Sequence, residues 1–235
     1  MKNIFLFLLV LFQFTGIYAT DPIVRVENKV ASSGIHYTIL YQDKLKMSFE
    51  TKRPDKNDAS VCLCIAAAFT KLNDYTIDGA CMRNGIIYNN NPVNYTLGGA
   101  IKIVDYKPEI FPTKKGKLIN DSLIKLFASK RASMFQQIQM IENGKAASFI
   151  DKKLFQRRGI AIFKNGQTAI IESKEAITLA AFAKDLVAMN VKDFLYTDMG
   201  SWDEGWYRKD VKTIVTIGQN LTETKYQSNW IIFKK

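Results

Sequence analysis

Nine consecutive apolar residues, Val61-Cys62-Leu63-Cys64-Ile65-Ala66-Ala67-Ala68-Phe69, constrain this chain more than any other stretch. The run follows the polar break Lys52-Arg53-Pro54-Asp55-Lys56-Asn57-Asp58 and has no polar face, the pattern of a strand covered on both sides. Such a strand implies a layered fold, because each of its faces must be buried against another element. The small side chains of Ala66 to Ala68 leave room for a second backbone or a ligand to approach.

Around that strand the chain is read mostly as strands. Ile23 to Val30 and Ile35 to Tyr41 cluster β-branched and aromatic residues about Ser32-Ser33-Gly34 and predict a hairpin, and Leu45 to Glu50 predicts a third strand. Thr76 to Cys81 and Ile86 to Tyr88 flank the tight-turn signal Asn84-Gly85; Gly99 to Tyr106 and Met134 to Ile141 follow as strands. A second hairpin runs from Gly159 to Phe163 and Thr168 to Glu172 through Asn165-Gly166. Asp121 to Arg131 has helical spacing, with Asn120 or Asp121 able to cap it. Ala176 to Met189 is the clearest helix, with Leu179, Phe182, Leu186 and Met189 near one face. It leads into a strand at Phe194 to Thr197, and Val211 to Ile217 and Ser228 to Phe233 complete the set. The expected fold is α+β (mixed α/β), one twisted mixed β-sheet flanked by two or three helices.

The first residues carry a different message. Lys2, the apolar run Ile4 to Phe14 and a small residue at Ala19 read as a secretory signal peptide over residues 1–19, followed by a single domain over 20–235. The apolar run falls short of the roughly 20 residues that span a bilayer, so no transmembrane segment is expected after cleavage. The protein is then exported, periplasmic or extracellular. Of the net charge of +11, residues 1–19 contribute only Lys2. A surplus of this size suits an anionic partner such as a phosphorylated or anionic glycan. The basic residues are dispersed, with the densest clusters at Lys114-Lys115-Gly116-Lys117 and at Lys152-Lys153 with Arg157-Arg158, so there is no nucleic-acid stripe. His36 is the only histidine, and Cys62, Cys64 and Cys81 match no zinc spacing. No metal site is assigned, the cofactors are unknown, and the cysteines read as buried reduced thiols. The sequons at Asn94, Asn120 and Asn220 would matter in a eukaryotic host.

The stretch with the most chemistry follows the strand at Phe194. Thr197-Asp198-Met199-Gly200-Ser201-Trp202-Asp203-Glu204-Gly205-Trp206-Tyr207-Arg208 gathers three acids, an arginine and two tryptophans at a strand end. In a covered sheet, strand ends are where ligands are met, because the backbone is fixed there while the next loop is free to carry chemistry. The rival reading is an ordinary surface loop whose Asp caps a turn.

Three motifs in order resemble those of the phosphodiester glycosidase family: Ile65-Ala66-Ala67-Ala68-Phe69, Arg157-Arg158-Gly159-Ile160-Ala161-Ile162, and Thr197-Asp198-Met199-Gly200-Ser201. Together they span roughly residues 60 to 205, and order and spacing weigh more than any one motif. The chain departs from the family where Ala66 stands for an Asn and Met199 for a Gly, which resembles a divergent branch of exported bacterial proteins. The resemblance implies a glycosidase-type fold and carries over Asp198, one of Arg157 and Arg158, Gly200 and Ser201. It implies an exported hydrolase that cleaves a sugar-phosphodiester or related glycosidic bond.

That chemistry needs a carboxylate beside the anomeric carbon, where positive charge builds, and cationic donors for the departing phosphate. Asp198 is the first candidate for the carboxylate, with Asp203 and Glu204 as partners. Arg157, Arg158 and Arg208 are candidate phosphate contacts, and Trp202, Trp206 and Tyr207 could stack on a sugar. Arg157 and Arg158 are successive strand positions and face opposite ways, so at most one enters a given site. Arg208 could instead pair with Asp203 or Glu204, and Trp206 could lie in the core. The alternative reading is a non-catalytic glycan- or cell-envelope-binding module on the same fold, in which the tryptophans matter and Asp198 is replaceable.

Overall fold

The computed structural model describes residues 23–88, 92–219 and 224–235, so the signal-peptide reading of residues 1–19 and the sequon at Asn220 lie outside the described residues. Its strands form three sheets, and every ladder between them is antiparallel. The first has seven strands in the order Arg25–Val30, His36–Tyr41, Thr168–Ser173, Arg158–Phe163, Val191–Tyr196, Gln139–Glu142 and Lys145–Ala146. The second runs Ile214–Ile217, Gly205–Arg208, Val61–Ala66, Trp230–Lys234 and Lys46–Glu50. The third runs Ile86–Ile87, Cys81–Arg83, Ser133–Gln137, Gly99–Val104 and Lys107–Pro112.

This overturns the expectation of a single mixed sheet flanked by helices. Only two α-helices occur among the described residues, α1 (Asp121–Ser129) and α2 (Leu179–Ala188), and each packs on one sheet. The error has a physical source in the segment Thr168–Ser173, α2, Val191–Tyr196. Its two strands run in the same direction, as a helical crossover suggests, but Arg158–Phe163 lies between them and pairs antiparallel with both. Elsewhere tight turns dominate: Asn84-Gly85 and Asn143-Gly144 both have positive φ at each residue, the geometry of a short hairpin turn.

The two helices begin where side chains can cap them. Asn120 accepts the Leu123 N–H at 3.0 Å, and Thr178 accepts that of Ala181 at 3.2 Å. The strand expected over Thr76 to Cys81 reduces to an isolated Thr70–Ile77 bridge followed by Cys81–Arg83. Val61–Ala66 is the middle strand of the second sheet, with all six residues buried. A shared core holds the sheets together, with Leu40 and Leu195 from the first, Phe49 and Leu63 from the second, and Ile101 and Phe135 from the third. All three cysteines are buried. Among the described residues no helix is long and apolar enough to cross a membrane.

Candidate functional site

Segments leaving all three sheets converge on one cleft of about 460 Å³. Phe69 and Thr70 follow Val61–Ala66, Ile138 follows Ser133–Gln137, Arg157 precedes Arg158–Phe163, and Asp198 to Trp202 follow Val191–Tyr196. The exits are bonded to one another. Asp198 N–H donates to Ala67 O at 2.8 Å, Thr197 N–H to Arg158 O at 3.0 Å, and Ala66 N–H to Glu204 O at 2.9 Å. The small side chains of the alanine run thus admit a neighbouring backbone. The Asn229 carboxamide clasps the same run, accepting from Ala68 N–H at 2.7 Å and donating to Ala68 O at 3.1 Å.

Asp198 lies in the cleft wall at 4% exposure. Its carboxylate accepts the Gly200 N–H at 2.9 Å and the Thr70 N–H at 3.2 Å. Burial is the dominant influence on this group and pushes its pKa up to about 6, against the pull of those two N–H donors. A carboxyl poised there is ionised at neutral pH yet close enough to that pH to exchange a proton.

Arg157 shares the cleft wall. Its guanidinium donates to Ile177 O at 3.1 Å, Lys153 O at 3.0 Å and Tyr196 Oη at 3.3 Å, and lies 5.1 Å above the Phe155 ring. All its partners are neutral, and among the described residues no carboxylate pairs with it. Leu179, the first residue of α2, also lines the cleft, and the first turn of that helix carries no acid. The helix dipole therefore adds positive potential to the wall that Arg157 occupies.

Arg158 turns the other way and is fully buried. It is held between Asp203 and Glu172, bonding the Glu172 carboxylate at 3.0 Å, and it donates to the backbone oxygen of Asp198 at 3.3 Å. Burial pushes the Asp203 and Glu172 carboxyls above the ordinary range, while Arg158 pulls both back. Glycines at 205 and 218 make the cluster possible, because a Cβ at either would collide with Arg158 or Asp203. Gly218 N–H also donates to Glu172 at 2.9 Å.

The remaining candidates divide cleanly. Gly200, Ser201 and Trp202 line the cleft with Asp198. Trp202 packs edge-on against Tyr75 and Tyr226, and its buried indole N–H has no acceptor among the described residues. Asp203 and Glu204 do not reach the cleft. Glu204 is gripped by Arg53 through two bonds of 2.9 and 3.0 Å and accepts from the Trp230 indole at 3.3 Å. Arg208 belongs to the strand Gly205–Arg208 and donates to Val61 O at 3.2 Å and Lys56 O at 2.7 Å, away from Asp198. Trp206 on that strand is wholly buried, and Tyr207 pairs with Leu63.

Asn229, Tyr196, Arg53 and Thr70 escaped the sequence reading. Asn229 carries one faint signal, a polar residue immediately before the apolar strand Trp230–Lys234, but its partner Ala68 is 161 positions away. Among the described residues, no three His, Cys, Asp or Glu side chains converge as a metal site requires.

No family model and no curated protein sequence matches the chain. Solved structures do. The catalytic domain of zebrafish N-acetylglucosamine-1-phosphodiester alpha-N-acetylglucosaminidase, auto-inhibited by its pro-peptide, superposes with a TM-score of 0.61 at 10% identity. That match covers 92% of this chain and 83% of the zebrafish one. A hypothetical protein from Synechocystis gives a TM-score of 0.61 at 12% identity over 90% of this chain, which spans only 62% of that protein. At such identities the likeness is one of fold.

Proposed function

We propose that this protein is a hydrolase that cleaves a sugar-1-phosphodiester or a related glycosidic bond, acting outside the cytoplasm after export. The observation that carries the reading is the presence in one cleft of Asp198, a buried carboxylate with its pKa raised to about 6, and Arg157, a cation that no carboxylate among the described residues neutralises. The fold likeness to a phosphodiester glycosidase domain and the motif order around Asp198 support it.

In this mechanism the phosphate group lies against Arg157, whose planar fork suits phosphate oxygens. The ionised Asp198 faces the anomeric carbon. Water attacks that carbon, the carbon–oxygen bond to phosphorus breaks, and its electron pair leaves with the phosphate monoester. Asp198 takes the proton of the attacking water and offsets the positive charge that builds on the sugar. Ser201, exposed in the cleft lining, meets a sugar hydroxyl through its Oγ. Asp203 works at one remove, through Arg158 and the Asp198 backbone oxygen, and Glu204 anchors the loop through Arg53.

Purified protein incubated with a panel of sugar-1-phosphodiesters should release free sugar, and Asp198→Asn should not. A glycan- or envelope-binding module is favoured by one observation, the aromatic group of Tyr75, Trp202 and Tyr226 beside the cleft. Binding without turnover, unchanged in Asp198→Asn, would select it.

A further inference from the structure

Two segments border the cleft, 69–76 and 149–157, and both carry apolar side chains into solvent. Of the thirteen large apolar residues exposed among the described residues, five sit on these two stretches: Leu72, Tyr75, Ile150, Leu154 and Phe155. Leu72 at 74% exposure and Phe155 at 49% also line the cleft, so the apolar rim is continuous with the proposed site. Contiguous apolar surface of this kind marks a binding region. The same segments carry Lys71, Lys152 and Lys153 against Asp74 and Asp151, which leaves a net positive charge beside it.

Several polar groups of the cleft are already engaged within the protein. Thr70 Oγ1 is engaged with Ser228 Oγ at 2.8 Å, Tyr196 Oη accepts from Arg157, and one oxygen of the Asp151 carboxylate accepts the Lys153 N–H at 2.9 Å. Asp198, Arg157 and Ser201 suffice for one sugar and its phosphate. On the far side of the phosphorus a second sugar would set hydroxyls against Leu72, Phe155 and Ile138, side chains that offer no hydrogen bond.

We propose that the substrate is an amphiphile, a sugar phosphodiester whose other arm is a hydrocarbon chain that lies along the Leu72–Phe155 rim. The inference rests on reading this cleft as the substrate site. The rim takes the chain, Arg157 takes the phosphate, and the flanking lysines hold the anionic head at that edge.

Binding of octyl phosphate and methyl phosphate, measured by titration calorimetry below the micelle concentration, tests the apolar arm without needing turnover. Each methylene taken from water should tighten binding about fourfold, so octyl phosphate should bind at least ~tenfold more tightly than methyl phosphate. The ratio should collapse in Leu72→Ser and in Phe155→Ser, both at exposed positions, and because the Phe155 ring also lies beneath Arg157 the methyl phosphate affinity of each variant serves as its own reference. Equal affinity for the two probes, or an octyl advantage that survives both substitutions, overturns the proposal. A parallel assay on sugar-1-phosphodiesters carrying an octyl arm or a second sugar separates the two readings. Preferred cleavage of the two-sugar compound sinks the amphiphile and keeps the hydrolase. An octyl advantage in binding with no cleavage of either compound keeps the amphiphile and sinks the hydrolase.

Discussion

Arg157 and Arg158 are neighbours in sequence and both are buried, yet they stand in two different kinds of polar interior. On one side of the strand, Arg158 is closed between Asp203 and Glu172 and saturated with charge. On the other side, Arg157 meets carbonyls, a hydroxyl and an aromatic face among the described residues, in a cleft that also holds Asp198. The first arrangement is balanced in charge by its own two carboxylates and welds the first sheet to the second. The second leaves a cation and a carboxylate with capacity unspent. What separates the closed cluster from the proposed site is which charges lack an opposite partner among the described residues, since both arginines are buried.

The sharpest way to break this contrast is at Asp198. Asp198→Asn keeps the shape and removes the base, and should lower kcat by about 10²–10⁴-fold with the fold intact by circular dichroism. Turnover within threefold of the parent would place the chemistry elsewhere. On the closed side, Arg158→Met strands two buried carboxylates and should cost about 3–5 kcal/mol in urea unfolding. A loss under ~1 kcal/mol would mean that the cluster is not a structural weld. Arg157→Met should reverse the pattern: kcat/KM falls about 10–100-fold, more than stability changes, because the neutral partners of Arg157 lose hydrogen bonds and no charge is left unpaired. An Arg157 variant that unfolds as readily as the Arg158 variant would erase the distinction.

The sequence makes one half of this contrast visible and hides the other. That Arg157 and Arg158 diverge follows from strand alternation alone. Asp198 stands out because it ends an apolar strand, and Gly200, Ser201 and Trp202 come with it as sequence neighbours. Which arginine met Asp203 and Glu172 was not legible, since Glu172 lies 14 positions from Arg158 and Asp203 lies 45 away, on another sheet's approach. Gly205 to Arg208 resembles the end of a polar loop because Asp203 and Glu204 immediately precede it and Arg208 closes it. It is a strand because Trp206 is buried opposite Cys64, a pairing set by distant contacts. Local hairpins followed turn chemistry and both helices followed apolar spacing, although the cap of the second, Thr178, lies two residues inside the expected start. The division into three sheets did not, because local pattern specifies a strand and its faces but not its neighbours.

The smallest expected effect concerns pH, and it tests whether Asp198 truly pays the cost of burial. Its pKa of about 6 lies above the unfolded value near 3.9, so between those pH values the native protein holds a proton that the unfolded chain has lost. Stability from this group is therefore full below about pH 4, declines as pH rises to about 6, and is flat beyond. The expected size is about 1–3 kcal/mol across that window. Asp203 and Glu172 are shifted in the same direction by burial, so the parent curve alone would mix three groups. The difference between the parent and Asp198→Asn isolates one of them, because the amide does not titrate while the Arg158 cluster is common to both. Urea midpoints from pH 4 to 7.5 should therefore converge, with the parent losing stability relative to the variant as pH rises. The same titration should appear in catalysis with the opposite sense, kcat/KM rising through about pH 6 as the base ionises. Parallel stability curves would put the Asp198 carboxyl in contact with water rather than in the desolvated wall that the cleft geometry gives it.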